Sequence, residues 1–444
     1  MLSVPQAEEL LLAATPSPFD VPPITSETVT LSHALHRVLA QDIFAPQHFP
    51  YWDNAAMDGY ALRWADGVQA MAQDQALAVL PQEIAAGDAP DWLLPEAMAV
   101  RIFTGAPLPT GADTVVMQEQ VTVDSGKIYL KTLPPLGEYV RHGGAFAQQS
   151  DLLLAAGTRL NAPEIAGLAA MGLNAVPVLP QVRVAIFSTG NELVNLAPDD
   201  FDDHDGAMHQ RIKGLKRGQI FDSNQYALSA LVQQAGALVI NLGIVADQSS
   251  SLRRKIVDAL GVADVIISSG GVSVGDYDLV GQTLRELGGT IHCQSVAIKP
   301  GKPLTMATFS GDLNRNSRQL PQVYLGVPGN PVSAIMSFWR FGRGILAKRA
   351  GQLPPNWQPL FVDAITLTDL HSQGQRETYL WGNLETRLKA SISKTYFVPA
   401  GDAASAVVYS SGNLISLMNC NGCAVLRRFQ TYVPQGEIVR VMVV

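Results

Sequence analysis

Between Ala263 and Gly275 the chain reads ADVIISSGGVSVG, an apolar run that empties into paired glycines and a Gly-Val-Ser-Val-Gly turn. Val265, Ile266 and Ile267 have the continuous apolar character of a strand buried on both faces of a parallel sheet, and Asp276 to Gly288 has the spacing of a following helix. Ligands of α/β sheets bind at such strand-to-helix junctions. Glycines at 270 and 271 would let backbone N–H groups approach an oxyanion. The carboxylates of Asp276 and Asp278 would repel that anion unless a cation intervened, so the junction suggests a phosphate with a divalent metal.

Further along, Ile298-Lys299-Pro300-Gly301-Lys302-Pro303 sets two lysines three apart, stiffened by prolines and turned by a glycine. This is a fixed cationic hook for a compact oxyanion. Gly329-Asn330, between Pro328 and Pro331, ends a strand and opens a helix whose N-terminus could face an anion.

Other motifs compete. Gly271-Val272-Ser273-Val274-Gly275 matches the GxSxG nucleophile elbow, and His142-Gly143-Gly144 offers an upstream HGG. A serine hydrolase also needs a histidine after the serine, and only His292, opening a strand, and His371, in another domain, follow Ser273. Cys420-Asn421-Gly422-Cys423 is a CxxC without the second pair a structural zinc site needs, and it reads as small residues at an Asn-Gly turn. The run Asp199, Asp200, Asp202, Asp203 and Asp205 lacks the offsets of an EF-hand loop and reads as a solvated insertion.

The elements that must position these residues fall into four regions. Residues 1–45 and 147–180 read as helical, with Ala7 to Ala13 and Leu31 to Leu39 as periodic segments. Residues 46–146 carry short β-like runs between Gly and Pro turns and read as a β-rich module inserted into the helical one. Residues 181–350 alternate strand and helix in the rhythm of a three-layer α/β domain. Residues 351–444 read as short strands of a barrel or sandwich. The expected class is multidomain α/β plus β.

At 444 residues the length suits about three domains, each with its own core. The net charge of -8 argues against bulk nucleic-acid binding. Three cysteines build no disulfide framework, the first residues lack the basic region of a secretory signal, and no apolar run is long enough to span a bilayer, which together suggest a cytoplasmic protein without a membrane partner.

Taken in order, the motifs resemble those of the MoeA and gephyrin E-domain family, the molybdopterin molybdenumtransferases. The resemblance covers nearly the whole chain. It rests on Asn54-Ala55-Ala56-Met57-Asp58-Gly59-Tyr60-Ala61, Arg101-Ile102-Phe103-Thr104-Gly105-Ala106-Pro107, Ser188-Thr189-Gly190-Asn191-Glu192-Leu193 and Gly218-Gln219-Ile220-Phe221-Asp222-Ser223-Asn224. The SGGVSVG loop from Ser269 with Asp278, the KPGKP and VPGNPVSA segments, and Ser411-Gly412 with Asn421-Gly422 complete it.

The resemblance implies a central molybdopterin-binding-like α/β domain, an inserted N-terminal β-rich domain and a C-terminal β-barrel-like domain. It implies Mg²⁺-dependent insertion of molybdate into adenylylated molybdopterin, with release of AMP. By the same resemblance Glu192 and Asp278 would hold Mg²⁺, with Asp247 nearby, and Lys299, Lys302, Arg376 and Ser411 would bind molybdate. Asp222, Ser269, Gly270, Gly271, Ser273 and Pro328 would line the substrate site. Asp58 and Thr104 would reach the site of a partner subunit in a homodimer, and a molybdopterin adenylyltransferase would act upstream.

The chain also departs from the family pattern. Ala145 and Phe146 follow Gly144 where Glu and Asp are usual, Ser295 stands for a basic residue, and Trp381 for an arginine. Ser295 is expected to make the oxyanion pocket less basic. These departures keep open a weakened paralogue that binds molybdopterin or scaffolds its assembly without turnover. The related single-domain adenylyltransferases share the α/β module but lack the flanking domains expected here.

Overall fold

A computed structural model describes residues 1–196, 215–272, 279–310, 320–389, 392–401 and 407–444. The acidic run from Asp199 to Asp205, together with Ser273, Asp276 and Asp278, lies outside the described residues. The chain divides into two units, one of residues 41–156 and 162–174, the other of residues 1–40, 157–161 and 175–444.

In the first unit, six short strands form one sheet, ordered Thr114–Met117, Gly59–Leu62, Met98–Ile102, Leu77–Ile84, Lys127–Leu130 and Val121–Asp124. Alternation along the strands fills two separate cores. Ala61, Val100, Ile102 and Val115 pack on one face, and Tyr60, Leu62, Ala99 and Val116 on the other. A Cβ on Gly59 would sit 2.0 Å from the Val116 carbonyl oxygen, so only glycine lets these strands pair here. The helix Trp64–Ala72 is absent from the β-like reading of this region. Asp113 accepts the Trp64 N–H at 2.7 Å, a cap supplied from far along the chain that local spacing cannot reveal.

The second unit begins with the helix Val4–Ala14, fixed by a capping box between Ser3 and Gln6 and buried through Val4, Ala7 and Leu11. The helix expected from Leu31 to Leu39 does not form; only Leu31–His33 makes a single 3₁₀ turn. His36 takes a left-handed φ of 64°, Leu35 is exposed, and Leu39 donates its N–H to Thr158 in a bridge-like crossing. Residues 147–180 are likewise mixed: the strand Leu152–Leu154 and the helix Ala162–Ala170 belong to the first unit, and the strand Ala175–Val178 belongs to the second.

The α/β domain is a six-stranded sheet ordered Leu238–Val245, Arg183–Thr189, Val265–Ser269, Gln322–Val327, Pro303–Phe309 and Thr290–Ser295. The first four strands run parallel and the last two antiparallel. Val265, Ile267, Val184 and Ile186 face the helices Val4–Ala14, Asn224–Gln234 and Pro331–Ser337. Ile266, Ala185 and Phe187 face Ser249–Val262 and Leu279–Glu286. Burial on both faces explains the unbroken apolar strands.

The C-terminal barrel closes five strands, from Glu377–Lys389 through Ile392–Pro399, Phe361–Thr366, Ile438–Val443 and Gly422–Leu426 back to the first. Leu380, Phe397, Ala424 and Val441 fill its interior. Tyr379, Trp381, Cys423 and Met442 point the other way, into the core of the α/β domain. Burial pushes the Cys423 thiol up strongly and the Cys420 thiol up as well, and neither is in a disulfide. Raised thiols are poor redox or metal ligands.

A buried ion pair ties the parts of this second unit together. Arg340 donates to Glu8 through both terminal nitrogens, at 2.6 and 2.8 Å, and through Nε to the Tyr379 hydroxyl at 3.0 Å. Glu8→Ala would leave the Arg340 guanidinium, only 6% exposed, without its carboxylate. Urea unfolding should therefore show a loss of about 3 kcal/mol or more, partly regained in Glu8→Ala/Arg340→Met. Equal stability of Glu8→Ala and the parent would refute this.

Candidate functional site

The parallel strands converge at their C-terminal ends on three loops, after Thr189, Ser269 and Val327. Asn224 clamps two of them, its side-chain amide donating to Ser269 Oγ at 2.6 Å and to the Gly329 carbonyl at 2.7 Å. Ser269 Oγ donates in turn to the Pro328 carbonyl at 3.3 Å. Gly270 has φ of +89°, and a Cβ there would lie 2.5 Å from the Thr189 carbonyl oxygen. Its N–H donates to Val327 at 3.1 Å, so Gly270 joins the loops together and does not offer that amide to a ligand.

Carboxylates ring these loops. Glu192 is exposed, and its side chain folds back over Gly190, where a Cβ would meet Oε2 at 2.7 Å. Exposed Asp247 donates its N–H to Asn191 Oδ1 at 3.2 Å, which joins the two acidic turns. Asp222 is buried and accepts the N–H groups of Asn224 and Gln225 through Oδ1, while Oδ2 has no partner among the described residues. No group of three potential metal-ligating side chains occurs among the described residues.

Beside this junction, between the α/β domain and the barrel, a cavity of about 620 Å³ gathers Lys299, Lys302, Arg376 and Ser411. The strand Ile298–Lys299 leaves the α/β domain and pairs in parallel with the barrel strand Glu377–Lys389, Lys299 opposite Thr378. Arg376 donates Nη1 to the Ile298 carbonyl at 3.2 Å, which holds the guanidinium against the Lys-Pro-Gly-Lys-Pro loop. Gly301, at φ of +107°, turns the loop so tightly that a Cβ would meet Ser337 Oγ at 3.0 Å.

Ser411 reaches the cavity through the helix Pro331–Ser337. Its carbonyl accepts the Val332 N–H at 3.1 Å, and its hydroxyl accepts from Asn330 Nδ2 at 3.0 Å. The helix N-terminus thus holds a barrel loop in place. His371, Ser372, Gln373, Asn330 and Tyr409 also line the cavity. Asn330 was legible in its Pro-Gly-Asn-Pro setting, but no local signal marks the His371-Ser372-Gln373 turn.

Two departures from the family pattern stand away from the cavity wall. Trp381 is fully buried, donates Nε1 to Ser416 Oγ at 3.0 Å and meets the Tyr409 ring edge-on at 4.8 Å. Ser295 pairs with Pro303 at a sheet edge and is not among the cavity's lining residues. In the other unit, Phe146 packs against Phe49 with ring centroids 6.0 Å apart. Asp58 accepts both the Thr104 N–H at 2.8 Å and the Thr104 hydroxyl at 2.7 Å. Those bonds, the backbone one first, hold the Asp58 carboxyl below its ordinary pKa, so it stays ionised through the neutral range.

Of the hydrolase constellation, Ser273 lies outside the described residues, and both histidines that follow it have other partners. His292 bonds the Thr308 hydroxyl at 2.8 Å, and His371 stacks on Tyr432 with centroids 5.1 Å apart.

The second unit thus sets a cationic cavity between a doubly flanked α/β sheet and a closed barrel. The chain matches the model of the MoeA N-terminal region, domains I and II, over residues 2–172. It matches a probable molybdopterin binding domain over residues 185–348 and the MoeA C-terminal region, domain IV, over residues 363–444. It is 44% identical over 418 residues to a molybdopterin molybdenumtransferase of Nostoc sp., covering 94% of this chain and 88% of that one. Identity to the molybdopterin molybdenumtransferase of Haemophilus influenzae is 33%, over 83% and 82% of the two chains. A crystal structure of a molybdopterin biosynthesis MoeA protein from Pyrococcus horikoshii superimposes with a TM-score of 0.75 at 25% identity, covering all of both chains. The chain belongs to the molybdopterin molybdenumtransferase family, and is an enzyme of molybdenum cofactor biosynthesis. No helix among the described residues is long and apolar enough to cross a membrane.

Proposed function

We propose that the chain inserts molybdate into the dithiolene of adenylylated molybdopterin, with Mg²⁺ and with release of AMP. The observation that carries this reading is the cavity that brings Lys299, Lys302, Arg376 and Ser411 together from two domains. A tetrahedral dianion is well matched by two ammonium groups, a guanidinium fork and a hydroxyl. Lys299 and Lys302 would neutralise molybdate, Arg376 would orient it, and Ser411 would add a hydroxyl donor. The adenylylated pterin would lie across the adjoining loops at Ser269, Gly271 and Pro328, and the family resemblance adds Ser273 to its contacts.

The donor set fits Mg²⁺. Glu192 and Asp247 present exposed carboxylates on adjacent turns, and the buried Asp222 Oδ2 has no partner among the described residues. Few carboxylates with room for water and phosphate oxygens is the arrangement Mg²⁺ favours. By the family resemblance Glu192 and Asp278 would hold the ion with Asp247 nearby, and the ion when bound would neutralise phosphate charge.

We further read the protein as a cytoplasmic homodimer whose substrate comes from a molybdopterin adenylyltransferase. Asp58 and Thr104, locked to each other on an exposed loop pair, would complete the site of the opposite subunit. Light scattering at micromolar concentration should return the dimer mass; a clean monomer would overturn this assignment.

Incubation with adenylylated molybdopterin, Mg²⁺ and molybdate tests the whole reading. AMP should appear only when all three are present. Tight pterin binding without AMP would instead identify a non-catalytic paralogue.

A further inference from the structure

A second cavity in the same unit, of about 310 Å³, lies between the end of the helix Asn224–Gln234 and the helix Arg343–Arg349. Arg159 and Arg343 line it together, no aspartate or glutamate does, and Val444, the last residue of the sequence, also lines it. Neither arginine makes a salt bridge: the ion pairs of the described residues involve other side chains. Arg159 donates one terminal N–H to the Gln234 carbonyl at 3.2 Å, while its Nε is buried with no partner. Burial first, and then the charge of Arg343, pull the Arg159 pKa below its ordinary value. Arg159 is half-buried and Arg343 exposed, and two guanidinium groups whose charges act on each other favour an anion that can bridge them.

The remaining walls say what kind of anion. Leu231, Phe338, Trp339 and Leu353 form an apolar side, and Gln234 and Asn356 supply amides. We infer that this cavity is a binding site for a small organic anion, a phosphate or carboxylate on an apolar body. Its acid group would bridge Arg159 and Arg343, and its body would lie on Trp339 and Leu353. A volume of this size is at the lower end for ligand pockets, enough for a single ring and its acid group. The site is separate from the Lys299 and Arg376 cavity and shares none of its lining residues.

Calorimetric titration with phenyl phosphate, benzoate and inorganic phosphate, each in the presence of saturating molybdate, tests the assignment on the full chain. Phenyl phosphate or benzoate should bind more tightly than inorganic phosphate, and the stronger of the two identifies the acid group. Arg159→Gln and Arg343→Gln should each weaken that binding about tenfold or more, the loss expected for one charge-assisted contact. Trp339→Ala should weaken the aromatic ligands while leaving inorganic phosphate unchanged. Lys302→Ala should alter none of these affinities. The assignment is overturned if no probe binds at millimolar concentration, or if binding is lost in Lys302→Ala and untouched in the two arginine variants. It is equally overturned if Arg343→Gln converts a dimer to a monomer without changing phenyl phosphate affinity, since the arginines would then serve a protein interface.

Discussion

Glu192→Gln should lower the rate of AMP release by roughly a hundredfold or more, because removing one of the two carboxylates proposed to hold Mg²⁺ would forfeit several kcal/mol of charge stabilisation. The loss should fall on turnover and on the Mg²⁺ concentration needed, not on folding. Glu192 contributes to the fold through its backbone carbonyl, which accepts the Ile220 N–H at 2.9 Å, and its side chain is exposed. The glutamine keeps the shape and the backbone bond. Asp278→Asn should behave alike, and unchanged AMP release in both variants would remove these residues from the metal site. Ser273→Ala supplies the contrast: a transferase of this kind should retain most of its activity, whereas a serine hydrolase would lose nearly all of it.

In the oxyanion cavity, Lys302→Ala should raise the molybdate concentration for half-maximal rate about tenfold or more, from the roughly 1.5 to 3 kcal/mol of a charge-assisted contact. At saturating molybdate the rate should recover substantially, since the variant loses binding of the ion more than the reaction that follows. Arg376→Lys should show the same displacement although charge is kept. A lysine cannot both grip the Ile298 carbonyl and present a planar fork to the anion. A variant whose molybdate dependence matches the parent would place the ion elsewhere.

Much of the framework around this cavity is legible in the sequence. The strand Val265–Ser269 and its glycine exit follow from an apolar run too continuous for a one-sided strand, and the Lys-Pro-Gly-Lys-Pro hook from the stiffness of its spacing. What local spacing could not show was long-range closure. The His371-Ser372-Gln373 turn lines the cavity next to a separate two-stranded pairing, Leu370–His371 with Tyr432–Val433, whose partner lies far along the chain. The segment Leu31 to Leu39 misled because its apolar residues pair with distant backbone instead of with one another. Trp381, which stands where an arginine is usual in the family, is a core residue: it shares its strand face with Tyr379, is fully buried in the core of the α/β domain, and spends its indole N–H on Ser416.

The two-residue pairing of Ile298–Lys299 with Glu377–Lys389 has a consequence for selection among ions. Backbone bonds across the domain boundary, including Glu377 N–H to the Ala297 carbonyl at 2.9 Å, fix the distance from the lysine loop to the Arg376 strand. A receptor on a hinge would shrink or widen to suit each tetrahedral anion in the cell. Walls stitched by main-chain bonds keep one gauge, so an oxyanion smaller than the intended one cannot touch both sides at once. Discrimination by radius then comes from the scaffold itself, ahead of any difference in charge.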